Sequence, residues 1–208
     1  MELQDYSKRK IEESLWFLKN YKPDWLHKKI DSYLFPWVKV LDLWCGPATF
    51  DEFHSSIPME YHGVDYDIWF VQSAKERWKN VEQYDIMEES LPYEDNSFDF
   101  IFCRHVIEHV PTNWQLKLVS EISRVLKPGW TTIILWPTAY HWYFWDDPTH
   151  YRPCTHGQFF HLANDFWLDI IECKYSLTRF FSNNLQRFLR LPPLRWFLWE
   201  VYLIAKKK

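Results

Sequence analysis

Glycine is nearly missing. The 208 residues include 4 glycines, where average usage of about 7% predicts about 15. Paired cysteines are missing too: Cys45, Cys103, Cys154 and Cys173 are far apart, which argues against a disulfide framework or a zinc site. No apolar run reaches the 18 residues or so that a membrane-spanning helix needs. The opening stretch MELQDYSKRKIEESLWFLKN is charged throughout and does not read as a secretory signal, so the expected compartment is the cytoplasm. Long runs of one charge, internal repeats and low-complexity tracts are also absent. With 24 basic against 28 acidic residues, a net of −4, composition supplies no basic platform, and no nucleic acid is expected as a partner.

What is present is a core. Hydrophobic residues make up 47% of the chain and charged ones 25%, a balance suited to one folded domain with modest additions. The 14 tryptophans and 16 phenylalanines exceed what such a core needs. Some are therefore expected at a pocket, a partner surface or a membrane interface.

Residues 5 to 20 carry Ile11, Leu15 and Leu18 at helical spacing, and Pro23 should end or kink that helix. A second short helix is expected within DWLHKKIDSYL. Together they form a helical cap over residues 1–35, ahead of a domain over residues 36–208. From residue 38 short apolar strands alternate with longer mixed segments. The strands are read at 38–43, 60–65, 97–103, 131–136, 167–176 and 200–206, with VEQY as a further short one. Helices are read at 67–79, 112–126 and 155–164. Thr112 is the expected cap of the middle helix, and Lys127-Pro128-Gly129 the turn that ends it. The alternation predicts an α/β fold with a mostly parallel sheet covered on both faces; the last two strands lack a clear helix between them and suit an antiparallel finish.

Ligands of such sheets bind beyond the carboxyl ends of the strands, where four loops are polar. After the first strand come Asp42, Trp44, Cys45, Gly46, Pro47 and Ala48; Gly46 lets the backbone approach a ligand, and a tight turn without one is the plain alternative. Asp65, with Tyr66 beside it, ends the next strand about 20 residues on, a position from which a carboxylate accepts both ribose hydroxyls; a helix cap is the alternative. Asp85 can accept from an exocyclic amine while Ile86 and Met87 pack on a flat ring. Arg104, His105, Glu108 and His109 crowd the end of the strand SFDFIFC. His105 and His109 stand four apart, as metal ligands on a helix do, but the HExxH order is absent. A pocket wall is preferred and no metal is expected.

The motifs VLDLWCGPA, GVD, YDIMEESLPYEDNSFDFIFCRHVIEHV and EISRVLKPGW, in that order over residues 38 to 136, resemble the class I S-adenosylmethionine-dependent methyltransferases, in particular the type 11 small-molecule group. The resemblance implies a Rossmann-like seven-stranded sheet with its last strand antiparallel, and S-adenosyl-L-methionine as cofactor. It implies Asp42, Gly46 and the backbone around Cys45 near the methionine part, Asp65 on the ribose, Asp85 and Ile86 on the adenine, and Arg104 and His105 facing the sulfonium and the acceptor.

Three departures stand out. The family has glycine at positions 44, 46 and 48, where this chain has Trp44, Gly46 and Ala48. Trp130 follows Gly129 where a second glycine is usual, and DFW stands near 166–167 where a glycine-phenylalanine pair is common. Trp44 should occupy the volume of the cofactor's amino-acid end unless it turns into the sheet or toward the N-terminal helices, and overpacking and backbone strain together should require a rebuilt turn. Three functions are ranked: an active methyltransferase with a ring-lined pocket; an inactive methyltransferase-like partner or scaffold, with Trp44 as its main support; and a nicotinamide enzyme, which WCGPAT suits poorly for want of a GxGxxG set.

The acceptor is expected to be a small molecule, glycan- or lipid-linked, because DDPTHYRPCT resembles a run in family members that modify such molecules. His150 is the preferred catalytic base, with His105 as the second catalytic candidate and Arg152 as an anion binder or loop anchor. Residues 185 to 199, with Leu185, Phe188, Leu189 and Leu191 between Arg187 and Arg190, read as a peripheral membrane contact or a homodimer interface.

Overall fold

The computed structural model describes residues 3–20, 25–140, 142–177 and 198–208. The apolar segment at 185–199 lies outside them except for the first two residues of the last strand. Two helices, α1 (Leu3–Asn20) and α2 (Trp25–Asp31), precede an alternating series: β1 (Val38–Leu43), α3 (Phe50–Phe53), β2 (Met59–Asp65), α4 (Ile68–Glu76), β3 (Val81–Gln83), β4 (Phe98–Arg104), α5 (Thr112–Val125) and β5 (Leu126–Pro137). Then come α6 (Trp142–Asp146), α7 (His156–Asp165), β6 (Leu168–Leu177) and β7 (Leu198–Lys207).

The strands form one seven-stranded sheet in the order β3-β2-β1-β4-β5-β7-β6. β1 pairs in parallel with β2 and β4, β2 with β3, and β4 with β5; β7 lies antiparallel between β5 and β6. The order reverses direction between β1 and β4, which opens a crevice at their carboxyl ends.

Strand alternation divides the core. Leu41 and Leu43 of β1, Ile101 and Cys103 of β4 and Ile134 and Trp136 of β5 bury one face with α5 and α7. Val38, Val40, Phe100, Phe102, Ile133 and Leu135 bury the other, and Leu26 and Ile30 of α2 join that same cluster. Trp25 stacks obliquely on Tyr202 at 5.4 Å, and Lys29 pairs with Glu172, so α2 is anchored to the antiparallel end of the sheet. No helix among the described residues is long and apolar enough to cross a membrane.

Two local expectations need correction. Thr112 opens α5 rather than capping it: Pro111 holds the cap position, with no side-chain cap bond, and the Thr112 hydroxyl instead accepts from Arg152 Nη1 at 3.2 Å. Lys127-Pro128-Gly129 is not a helix-ending turn. β5 starts at Leu126, and the pairing with β4 jumps from Phe98–Leu126 to Phe100–Thr131, so the segment is a bulge in which Gly129 takes φ +80°.

Gly63 of β2 pairs with Asp42 and is closely covered. A β-carbon there would stand 2.8 Å from Cys45 Sγ and 3.0 Å from Val81 Cγ2. Gly63→Ala is expected to cost about 1–3 kcal/mol, read as a lower urea midpoint, and Cys45→Ala in the same chain should recover part of it.

Candidate cofactor and acceptor site

The turn after β1 is built from backbone. Trp44, Gly46 and Ala48 take φ of 53°, 54° and 53°, a left-handed run that disfavours side chains. It is tied down by Cys45 N–H donating to Val64 O (3.0 Å) and Ala48 N–H to Cys45 O (2.9 Å). The turn is therefore not rebuilt around its two non-glycine residues; it keeps a glycine geometry and carries the strain. Over Gly46 the space is open: a β-carbon there would meet nothing within 4 Å.

The Trp44 indole turns not toward the N-terminal helices but onto the buried core over the α5 face of the sheet, one of the two directions expected. It lines an apolar cavity with Leu43, Val64, Tyr84, Ile86, Leu91 and Leu118 and meets the Tyr66 ring edge-on at 6.1 Å. Its Nε1 is buried without a hydrogen-bond partner. Ile86 lines the same cavity. Arg124, which sequence reading passed over, fixes its rim by donating to the Leu91 and Tyr93 carbonyls at 2.9 and 2.7 Å.

Two acids stand at the floor. Asp42 is buried and accepts from Tyr61 Oη at 2.8 Å; burial pushes its pKa up to about 8, against the lowering effect of that bond. Asp65 is also buried, accepting from Gly46 N–H (2.8 Å) and Asp67 N–H (2.9 Å). Burial raises it to about 7, while these bonds lower it. Asp67 caps α4 and accepts from the buried Ser7 hydroxyl of α1, which draws the N-terminal helix over the β2 end. Asp85 is partly buried and accepts from Met87 N–H at 2.8 Å, which organises its own turn.

Beyond β4, His105 has φ 56°, and its Nε2 is 3.0 Å from Glu200 Oε2 on β7. Burial lowers its pKa, opposed by the Glu200 bond. Arg104 is exposed, with Nη2 3.6 Å from the same carboxylate. Glu200 is a second residue that sequence reading missed; the one available signal was an acid inside the apolar strand WEVYLIA. His150 does not stand with His105 in a direct contact pair. Its ring lies 4.7 Å from that of His109, beside Glu108, whose pKa burial raises to about 8.

Residues 41–134 match the type 11 family described as a methyltransferase domain. Over these residues the chain carries a methyltransferase domain. Among curated relatives, a probable methyltransferase of Aspergillus luteorubrus is 31% identical, over 47% of this chain and 41% of that protein. A demethylmenaquinone methyltransferase of Staphylococcus haemolyticus is 30% identical, over 53% and 45%. The chain thus spans less than half the length of these relatives. Among solved structures, a SAM-dependent methyltransferase from Archaeoglobus fulgidus superposes with TM-score 0.69 at 19% identity, covering 93% of this chain and 99% of that one. A TehB-like SAM-dependent methyltransferase from Corynebacterium glutamicum gives 0.72 at 16%, covering 99% and 100%. At such identities the structural likenesses carry the fold alone.

Proposed function

We propose that the domain transfers a methyl group from S-adenosyl-L-methionine to a small-molecule, glycan- or lipid-linked acceptor. The observation that carries this is the left-handed turn at 44–48 with open space over Gly46, set beside Asp65 at the end of β2. It supports a ligand whose amino-acid end lies along the backbone of Trp44, Cys45 and Gly46 near Asp42 and whose ribose meets Asp65. Tyr66, Asp85 and Ile86 are assigned to the adenine, Arg104 and His105 to the wall beside the reacting centre. When bound, the cofactor supplies an electrophilic methyl group. The chain's task is then to align the acceptor and take its proton. His105, oriented by Glu200, is the proposed base. The relatives named for demethylmenaquinone are consistent with a small-molecule acceptor.

A second reading rests on Trp44. Its indole shares a cavity with Ile86, so the ring must turn aside before an adenine can enter. If it does not, the domain is an inactive partner or scaffold.

The test is release of S-adenosylhomocysteine from S-adenosylmethionine with hydroxylated lipid-linked and glycan acceptors. Turnover is expected to fall by about 10²- to 10⁴-fold in His105→Gln. Absence of release with every acceptor, from protein that nonetheless binds the product, would count for the scaffold reading.

A further inference from the structure

Beside the His105–Glu200 pair lies a cluster that the pocket leaves unused. Glu108 sits in a single helical turn (Ile107–His109) after β4 and is fully buried, yet neither carboxylate oxygen has a hydrogen-bond partner. His109 Nε2 stands 4.0 Å from Glu108 Oε1, too far for a hydrogen bond. One ligand atom from each of Glu108, His109 and His150 lies within 4.8 Å of the others.

The hydrogen bonds around the rings decide which nitrogens carry protons. The Thr149 hydroxyl lies 2.6 Å from Asp147 Oδ1 and 2.9 Å from His109 Nδ1. Its single proton goes to the carboxylate, so His109 Nδ1 is the N–H donor and Nε2 keeps a lone pair. His150 Nδ1 lies 2.6 Å from the Phe144 carbonyl, which only accepts, so Nδ1 carries a proton and Nε2 is the nitrogen whose lone pair the neutral ring offers. Two lone pairs and a buried carboxylate therefore converge with no donor among them. Carbonyl or carboxylate-linked partners on the far ring nitrogens are the usual outer support of metal-binding histidines.

We propose that Glu108, His109 and His150 bind a divalent first-row transition ion. Two imidazoles and one carboxylate suit zinc, cobalt, manganese or iron over magnesium or calcium. Tyr151 N–H donates to Glu108 O at 2.7 Å, which fastens the 147–151 loop to the helical turn and brings together ligands 41 and 42 residues apart in sequence. His150 is then a ligand, not the base. The ion's position beside His105 points to holding the acceptor oxygen and lowering its pKa; that role rests on the methyl-transfer reading, whereas binding itself does not.

The probe is Co²⁺ added to the full chain after chelator treatment and dialysis, followed by visible absorbance, with S-adenosylhomocysteine binding measured separately on the same sample. Saturation near one ion per chain is expected. Glu108→Gln keeps the shape, removes a buried charge, and should weaken uptake about 100-fold or more while the chain stays folded; His150→Gln should do the same. Folded protein that takes up no Co²⁺, Zn²⁺ or Mn²⁺ at millimolar levels would overturn the proposal, as would uptake unchanged in both variants.

A second inference comes from the backbone. Trp37, Trp44, Trp78 and Trp167 all have positive φ, at 69°, 53°, 62° and 61°, a region that is a genuine outlier for a bulky residue. Trp37, Trp78 and Trp167 are 78%, 96% and 70% exposed, so packing does not hold them there. A chain with 14 tryptophans and 4 glycines thus places tryptophan where the backbone needs glycine, and position 44 coincides with a family glycine. We infer that positions 37, 44, 78 and 167 are glycine in the protein as its source makes it, the codon behind them being UGA, which one genetic code reads as tryptophan and another as glycine. Peptide mass spectrometry of protein from the source is expected to return glycine at all four. Trp37→Gly, Trp78→Gly and Trp167→Gly should each raise the melting temperature by about 2–4 °C. Tryptophan masses at these positions, or UGG codons in the gene, would overturn the inference.

Discussion

Changing Trp44 to glycine is expected to tighten S-adenosylhomocysteine binding by about 10- to 100-fold while moving the melting temperature little. The indole must leave Leu43, Val64, Tyr84 and Ile86 before a ligand can use that cavity, and exposing a large apolar side chain costs about 1.5–3 kcal/mol. At about 1.4 kcal/mol per decade, that is the stated range. Stability has opposing contributions. Glycine forfeits the same apolar contacts, but it relieves a left-handed φ worth about 1–2 kcal/mol. It also removes the unpaired buried Nε1, itself worth about 1–3 kcal/mol. Titration calorimetry and thermal unfolding on the two proteins separate these effects. A glycine variant that binds no more tightly would mean that the indole does not stand in the ligand's way.

Stability is expected to fall by several kcal/mol as pH rises from about 4 to 8. Asp42 and Asp65 are held at about 8 and about 7 when folded, against 3.8 ordinarily. Between these values the folded chain binds more protons than the unfolded one, so the slope of unfolding free energy with pH is negative. Each unit between the two pKa values is worth about 1.4 kcal/mol, which for Asp42 alone is on the order of 6 kcal/mol. The destabilisation is absent below about pH 4 and fully developed above pH 8. Asp42 faces Tyr61, Asp51 and Asp65; Asp65 faces Asp67 and the amides of Gly46 and Asp67. Asp42→Asn keeps an acceptor for Tyr61 Oη and should flatten much of the profile, as read by urea unfolding at stepped pH. A profile of equal steepness in Asp42→Asn would remove Asp42 as its source.

Much of the fold was legible because strands and helices are written in local periodicity. Val38–Leu43 came out at its observed limits, and the other strands and main helices fell near theirs except β5, which was read at 131–136 and begins at Leu126. Thr112 and Gly129 were misread for a local reason: a cap residue and a Pro-Gly pair suit both a helix boundary and a bulge, and pairing with β4 decided between them. The turn after β1 was legible as a motif, but the direction of the Trp44 indole depends on Tyr84, Ile86 and Leu118, which no local pattern brings near. The same holds for Glu200, which meets His105 across 95 residues, and for Glu108 and His150. HExxH is a helical spacing, so searching for it does not find the proposed ligands, which meet through a loop.

The central claim is that the turn at 44–48 and Asp65 hold S-adenosylmethionine. The most direct measurement is calorimetric titration of ligand-free Trp44→Gly protein with S-adenosylhomocysteine, alongside the same chain carrying Asp65→Asn. One saturable site per chain, weakened about 10- to 100-fold by the loss of the Asp65 charge, is the predicted result. A folded Trp44→Gly chain that shows no binding at high micromolar ligand would contradict the account.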